Sequence, residues 1–379
     1  MTIHSDGWQQ EGSTKFCVGS AFFRSSSKIG RDLAVLAAIA HKASCGSLRV
    51  LDAMTGCGVR PLRYVLEANA DFVWANEGNW ELHDLLQANL SATLQPHQYC
   101  ITHQDANATF FVAHQQKDFY DLIDIDSFGS PMPTLATCLW AVKLGGLVYL
   151  TSTDGRATSG SAPEKSLQTY GAYARSHPSV HEQGLRLLIG TVVQQAAARG
   201  LGAQPVFSWY HGDVNRVMVR ITRQSKWNTA HYGFLRYCHS CGQFQTVSWK
   251  KLGRPVTCQC RAEGPPVISG PMWLGPLHSR EDLATMASIA ATCSTPHTWE
   301  TCQKTIAIMQ AEIDLPPYYY PLAEIGRRGK IDIPPKQRLI ERLQAEGFNA
   351  ADTHIDTQAI KTNAPIDVCV QLARNCHNN

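Results

Sequence analysis

Apolar and polar positions along the chain fall into short runs of two kinds, in regular alternation. Phe119-Tyr120-Asp121-Leu122-Ile123 is apolar and rich in β-branched and aromatic residues, which predicts a buried strand. Comparable runs recur at Leu48 to Ala53, Asp71 to Glu77, Tyr99 to Asp105 and Gly145 to Thr151. Between them lie segments with helical character: 31–46, a stretch running through Asn69, Trp80 to Leu90, and 131–143. Strands alternating with helices predict an α/β fold with a mostly parallel, Rossmann-like sheet and right-handed crossovers. Pro178 to Arg199 predicts a long amphipathic helix, and Pro205–Tyr210 with Arg216–Thr222 predicts an antiparallel pair closing the sheet. After about residue 225 the pattern changes to proline-rich turns, with further helices at about 279–293 and 297–313. This places a first domain at 1–225 and a smaller α+β domain at 226–379.

The polar residues at the strand ends carry the candidate chemistry. Asp124-Ile125-Asp126-Ser127-Phe128-Gly129-Ser130-Pro131 closes one strand with two acids, an aromatic, a turn glycine and a helix-opening proline. Open α/β sheets bind ligands at these carboxyl ends. Asp126, two residues before Phe128, is suited to take a proton from a flat base stacked on the ring. Asp124 is the competing candidate and is expected on the opposite face of the strand. Asp52 ends an earlier strand and leads into Gly56-Cys57-Gly58, where glycines admit close backbone approach ahead of a helix N-terminus. Glu77 lies about twenty residues beyond, where a Rossmann-like fold sets a carboxylate on ribose hydroxyls. Nicotinamide and S-adenosylmethionine sites share these features. The missing third glycine and the acid-x-aromatic-glycine loop favour the methyl donor, and hence a class I methyltransferase domain.

Composition narrows the setting. The chain has 379 residues, 44% hydrophobic and 17% charged, with a net charge of +3, so it reads as a folded globular protein with only a mild basic bias. No signal peptide and no membrane span are apparent, and thirteen cysteines then indicate a reducing, cytoplasmic setting. Cys238-His239-Ser240-Cys241 and Cys258-Gln259-Cys260 have the spacing of a structural zinc ribbon, with His239 as a substitute ligand. Tyr318, Tyr319 and Tyr320 precede the basic residues Arg327, Arg328, Lys330, Lys336, Arg338 and Arg342, a combination suited to an RNA backbone and its unstacked bases. The chain is expected to be a monomer without an obligate protein partner.

The order of these motifs resembles the tRNA (guanine(26)-N(2))-dimethyltransferase family nearly end to end. The resemblance is carried by Glu11-Gly12, Phe22-Phe23, Gly30-Arg31-Asp32-Leu33, Asp52 to Arg60, and Asp124 to Pro131. It continues through Tyr170-Gly171, His181-Glu182, Leu185-Arg186 and Arg216 to Arg220, then Gly270 to Leu277, Gly347 to His354 and Ile360 to Pro365. It implies one or two methyl transfers to N2 of a guanine at position 26 or 27 of tRNA, with a C-terminal domain that helps grip the tRNA. By position, it implies that Arg31, Asp52, Glu77 and Asp105 contact S-adenosylmethionine, that Asp126 accepts the proton and that Phe128 stacks on the guanine. Rival readings keep the first domain but act on another amino group, or keep the fold as a non-catalytic RNA-binding protein. Three stretches depart from the family pattern near the expected guanine pocket. The usual Asp-Pro-Phe-Gly is Asp126-Ser127-Phe128-Gly129, which is expected to loosen the loop. Phe-Tyr-Asn-Pro is Phe22-Phe23-Arg24-Ser25, and the asparagine before Arg31 is Gly30.

Overall fold

The computed structural model describes residues 7–224, 228–252, 260, 265–292 and 299–376. A hairpin, β1 (Trp8–Glu11) and β2 (Thr14–Cys17), leads into the long helix α1 (Lys28–Cys45). The alternating series follows: β3 (Arg49–Asp52), α2 (Val59–Leu66), β4 (Phe72–Asn76), α3 (His83–Ser91), β5 (Tyr99–Thr102), α4 (Ala106–Gln115), β6 (Tyr120–Asp126), α5 (Met132–Cys138) and β7 (Val142–Ser152). Two short helices, α6 (Gly155–Thr158) and α7 (Pro163–Tyr170), precede α8 (Val180–Ala198) and the pair β8 (Gly202–His211) and β9 (Val214–Thr222).

These strands form one seven-stranded sheet in the order β5-β4-β3-β6-β7-β9-β8. The first five run parallel, and β9 pairs antiparallel with both β7 and β8, as the apolar pattern predicts. The chain leaves β3 in one direction and returns to its other side at β6, so a crevice opens at the carboxyl ends of those two strands. Residues Tyr120–Ile125 are buried, as befits a strand covered on both faces. One face packs against α1, α2 and α3 through Leu33, Leu62 and Leu86; the other packs against α4, α5 and α8 through Phe110, Leu135 and Leu188. The helix predicted over 131–143 stops at Cys138, because Val142 pairs with Tyr120 and the apolar run beyond it extends as β7.

In the C-terminal part, β10 (Tyr232–Tyr237), β11 (Phe244–Val247) and β12 (Val267–Trp273) form a three-stranded antiparallel sheet. Helices α9 (Arg280–Thr292) and α10 (Glu300–Glu312) then return to the first sheet, where Leu283, Met286, Ile306 and Met309 join the core beside α1. Next come β13 (Tyr320–Pro321), α11 (Leu322–Gly329), α12 (Lys336–Ala345), β14 (Ala350–Asp352), β15 (Ala359–Thr362) and α13 (Ile366–Asn375), with the strands ordered β13-β15-β14. Tyr318, Tyr319 and Tyr320 are buried here, with Tyr318 stacked on Phe244, so they are core residues and not the RNA-facing group expected. Among the described residues no helix is long and apolar enough to cross a membrane.

A buried polar seam joins the C-terminal strands to the helices below. Glu182 on α8 accepts from Arg186 at 2.6 Å and from Lys361 on β15 at 2.7 Å. Glu312 on α10 contacts His278 at 3.3 Å and also His354. Burial opposes the Glu312 charge, but His354 and Lys361 outweigh it and hold this carboxyl well below its ordinary range.

The place of α9 in the main core is directly testable. Leu283→Ala should lower stability by about 2–5 kcal/mol in denaturant unfolding, the usual cost of such a cavity; an unchanged midpoint would show that α9 packs elsewhere.

Candidate active site

At the carboxyl ends of β3 to β7 lies a cavity of about 670 Å³. Of the residues singled out in the sequence, Arg31, Gly56, Glu77, Asp105, Asp126 and Phe128 line it. Asp52, Gly58 and Asp124 lie behind its wall.

The floor is built around one cation. Arg60, in the first turn of α2, is buried and gives Nη1 to Asp124 Oδ2 at 2.8 Å and Nη2 to Asp126 Oδ2 at 2.6 Å. Asp124 and Asp126 therefore share a face, contrary to expectation. Residues two apart on a strand point the same way, and the nearest opposite-facing neighbour is Ile125. Asp124 is fully buried and also accepts from the Tyr64 hydroxyl at 2.6 Å, which keeps it from any ligand in the cavity. Asp126 keeps 28% of its side chain exposed.

Charge follows from this packing. Desolvation raises Asp126, but Arg60 and then Arg216 outweigh it and hold the carboxyl well below the usual range. Burial raises Asp124, and Arg60 offsets only part of that. Asp52, which pairs in register with Asp124, is pushed well above the carboxylate range by burial and then by Asp124. Arg60 in turn stays charged, because Asp124 and Asp126 overcome its desolvation.

The loop after β6 is fastened to the end of β7. Ser127 Oγ donates to the Thr151 carbonyl at 3.2 Å, and Gly129 N–H donates to Thr153 Oγ1 at 2.8 Å. The serine therefore ties down the loop that loss of proline was expected to loosen. Phe128 projects into solvent, 74% exposed, against Phe22, which is 63% exposed. Their rings meet edge to face at 4.9 Å over the cavity. Two large apolar faces left in water at a cavity mouth suit a flat ligand.

The other end of the cavity is made by the β3 and β4 loops. Glu77 accepts from Gly56 N–H at 2.8 Å through one oxygen and from Asn79 N–H at 2.9 Å through the other. A Cβ placed on Gly56 would find its nearest neighbour, the Phe22 carbonyl, at 3.6 Å, so that backbone is open to a ligand. Gly58 is different: its φ is +83° and a Cβ would meet Leu86 at 2.8 Å, so its glycine serves the turn and the packing of α3. Asp105 caps α4 by accepting from Asn107 N–H at 2.9 Å, and Met54, Leu82 and Ala106 line the adjoining slot. Arg31 is held by both carboxylate oxygens of Glu11, which also accepts from Arg63 at 2.8 Å. That pairing locks the N-terminal hairpin to α1 and α2 and fixes Arg31 at the cavity wall through its Nε and Nη2.

Phe22, Arg60, Arg216 and Ser27 complete the cavity or its floor without having been singled out as site residues. All but Ser27 stood inside motifs read from the sequence, but their roles come from partners far away in the chain.

Among the described residues, two groups have metal-ligand chemistry. Cys238, Cys241 and Cys260 bring their sulfurs together, with Cys238 and Cys260 3.7 Å apart; Cys258 lies outside the described residues, and His239 is not part of the group. His278, Glu312 and His354 also meet. Ser208 N–H donates to His278 Nδ1, however, so the proton sits on Nε2 facing Glu312 and that nitrogen has no lone pair for a metal. Burial keeps this histidine neutral, pushed down to about 4.

Arg60 is the test of the floor. Arg60→Met should cost about 3–5 kcal/mol at pH 7, because it leaves buried carboxylates uncompensated. Their folded-state pKa values would then lie above the unfolded values, so the folded variant takes up protons as pH falls. The gap to wild type should narrow by about 1–3 kcal/mol between pH 7 and pH 5; a gap that stays constant in denaturant titrations would refute this account of the charges.

Comparison with known proteins agrees with this architecture. The family described as N2,N2-dimethylguanosine tRNA methyltransferase matches residues 9–374. The tRNA (guanine(26)-N(2))-dimethyltransferase of Pyrococcus abyssi is 28% identical over 368 residues, covering 93% of this chain and 92% of the relative. The Schizosaccharomyces pombe enzyme of the same name is 31% identical over 340 residues, covering 83% of this chain and 61% of the relative. The structure of Trm1 from Pyrococcus horikoshii in complex with S-adenosyl-L-methionine superposes with a TM-score of 0.83 at 26% identity, covering 96% of this chain and 99% of that one. With a match across almost all of its length, the chain belongs to the N2,N2-dimethylguanosine tRNA methyltransferase family and is an enzyme of that class.

Proposed function

We propose that this enzyme methylates the exocyclic N2 of guanine 26 in tRNA, on to the dimethyl product, with Asp126 as proton acceptor. The observation that carries the reading is Asp126 itself: an ionised carboxylate on a cavity floor, beneath two exposed phenylalanines.

The donor end fits S-adenosylmethionine. Glu77 uses each carboxylate oxygen once within the protein and retains lone pairs for ribose hydroxyls. Asp105 and the slot beside Met54, Leu82 and Ala106 would take the adenine, and the open Gly56 backbone would take the amino-acid end. Bound there, S-adenosylmethionine supplies an electrophilic methyl group on a sulfonium. Arg31 lines the cavity, Asp52 supports it from behind, and Asp124 supports Asp126 through their common Arg60.

At the other end, Phe128 and Phe22 hold the base once it leaves the RNA stack. The guanine amino group is a poor nucleophile because its lone pair is delocalised into the ring. Asp126 Oδ1 accepts an N2–H, draws that lone pair toward the amino nitrogen and takes the proton as the methyl bond forms. Partial exposure lets Asp126 return the proton to water before a second transfer. Positioning supplies most of the acceleration, and the proton transfer adds about 10²–10⁴-fold.

Residues 1–225 carry this chemistry, and 226–379 carry the metal site and help grip the tRNA. We assign Cys238, Cys241, Cys258 and Cys260 to one structural zinc. Four thiolates at about 2.3 Å around a tetrahedral ion stand about 3.8 Å apart, close to the 3.7 Å between Cys238 and Cys260 and far from disulfide length.

Transfer of labelled methyl from S-adenosylmethionine to unmodified tRNA transcripts, with nucleoside analysis, should yield N2-methylated and N2,N2-dimethylated guanosine at position 26. Asp126→Asn should cut turnover at least about a hundredfold while donor affinity by calorimetry stays near wild type; near-normal turnover would remove Asp126 from its role. Emission spectrometry should find about one zinc per chain, and a folded, metal-free protein would overturn the assignment.

A further inference from the structure

Beside Asp126 stands a second guanidinium, which helps keep that carboxylate charged and still has donors to spare. Arg216, on β9, is 3% exposed and forms part of the cavity wall. Its Nη2 donates to Ser27 Oγ at 3.0 Å and stands 3.9 Å from Asp126 Oδ1, the carboxylate oxygen that Arg60 leaves unused. Its Nε and Nη1 have no acceptor among the described residues. Buried guanidinium donors without acceptors are costly, so the side chain gains when an acceptor arrives next to it.

The position depends on Gly30. A Cβ at Gly30 would lie 2.8 Å from Arg216 Cδ, 3.0 Å from its Nε and 3.1 Å from the Trp209 ring, against which the guanidinium rests. Only a residue without a side chain leaves this space to the arginine. Here the chain carries glycine where the family pattern has asparagine, so the local change and the arginine's placement form one arrangement.

We propose that Arg216 reads the O6 carbonyl of the target guanine and so sets its specificity for guanine over other amino-purines. The inference rests on the proposed N2 transfer to guanine. When Asp126 Oδ1 takes the N2 proton, the rest of the Watson–Crick edge extends along the wall, and O6 is its acceptor. An arginine on the sixth of the seven strands, on the β6–β7–β9 side, faces the base; the donor residues Glu77 and Asp105 belong to the β4–β5 side. A purine lacking O6 would leave the guanidinium unanswered, and a base with an amino group there would meet a donor with a donor.

The test compares tRNA transcripts carrying guanine or 2-aminopurine at position 26; the latter keeps the N2 amino group and lacks O6. Wild type should favour guanine by about tenfold or more in kcat/KM, and Arg216→Met should bring the two within about threefold. Arg216→Lys, which keeps the charge but loses the planar fork of donors, should also weaken the preference and serves if Arg216→Met does not fold. A preference that survives in the folded variants, or a variant whose loss is confined to S-adenosylmethionine affinity by calorimetry, overturns the assignment of Arg216. Failure of wild type to methylate the guanine transcript would overturn the N2 reading on which it rests.

Discussion

One guanidinium holds the cavity floor together. Three carboxylates, Asp52, Asp124 and Asp126, converge at the ends of two neighbouring strands, and no sheet would gather them there without compensation. Arg60 supplies it from the first turn of α2, splitting its two terminal nitrogens between Asp124 and Asp126. The division gives the acids different fates. Asp124, buried with Tyr64 as a second donor, becomes a fixed anchor, whereas Asp126 is kept ionised and turned toward the cavity. In the role we propose for Asp126, a carboxylate already charged at neutral pH needs no deprotonation before each transfer. It is correspondingly a weak base, so the chemistry leans on the geometry with which donor and base are brought together.

Much of this was legible in the sequence, for a definite reason. Parallel strands buried on both faces read as unbroken apolar runs, and acids at their carboxyl ends mark the crevice. The strand ending at Asp126 was visible on that basis, and the apolar runs Pro205–Tyr210 and Arg216–Thr222 marked the antiparallel pair that the structure extends to Gly202–His211 and Val214–Thr222. Pairings between distant residues were not. Arg60 and Arg216 each stand in a recognisable motif, yet nothing local says that both approach Asp126. Periodicity also fails where an apolar run suits two states: the stretch after Cys138 continues as strand because it pairs with β6. The three consecutive tyrosines looked like a surface for bases and are packed in the core instead, because composition does not reveal which side of an element faces water.

The departures from the family pattern are each answered locally. Ser127 replaces proline's rigidity with a hydrogen bond to β7. The Arg24 carbonyl accepts from Arg31 and its guanidinium reaches the Gly212 carbonyl at 3.4 Å, bridging the N-terminal segment to the β8–β9 turn. Gly30 makes room for Arg216 against Trp209. These changes lie around the Phe128 and Asp126 end of the cavity, while Glu77 and Asp105 stand at the other end.

The polar seam between α8, α10 and the last strands has an evolutionary consequence. Glu312 sits in the interior with a neutral histidine on one side and relies on His354 and Lys361, contributed by the final sixty residues, for its charge balance. Remove that segment and a buried anion is stranded in the scaffold that supports the sheet. The two parts are therefore not exchangeable modules: a C-terminal extension borrowed from another RNA-modifying enzyme would have to bring its own cations to this spot. Inheritance as an indivisible unit follows from electrostatics, and it matches a family resemblance that runs through the whole chain instead of stopping at the sheet.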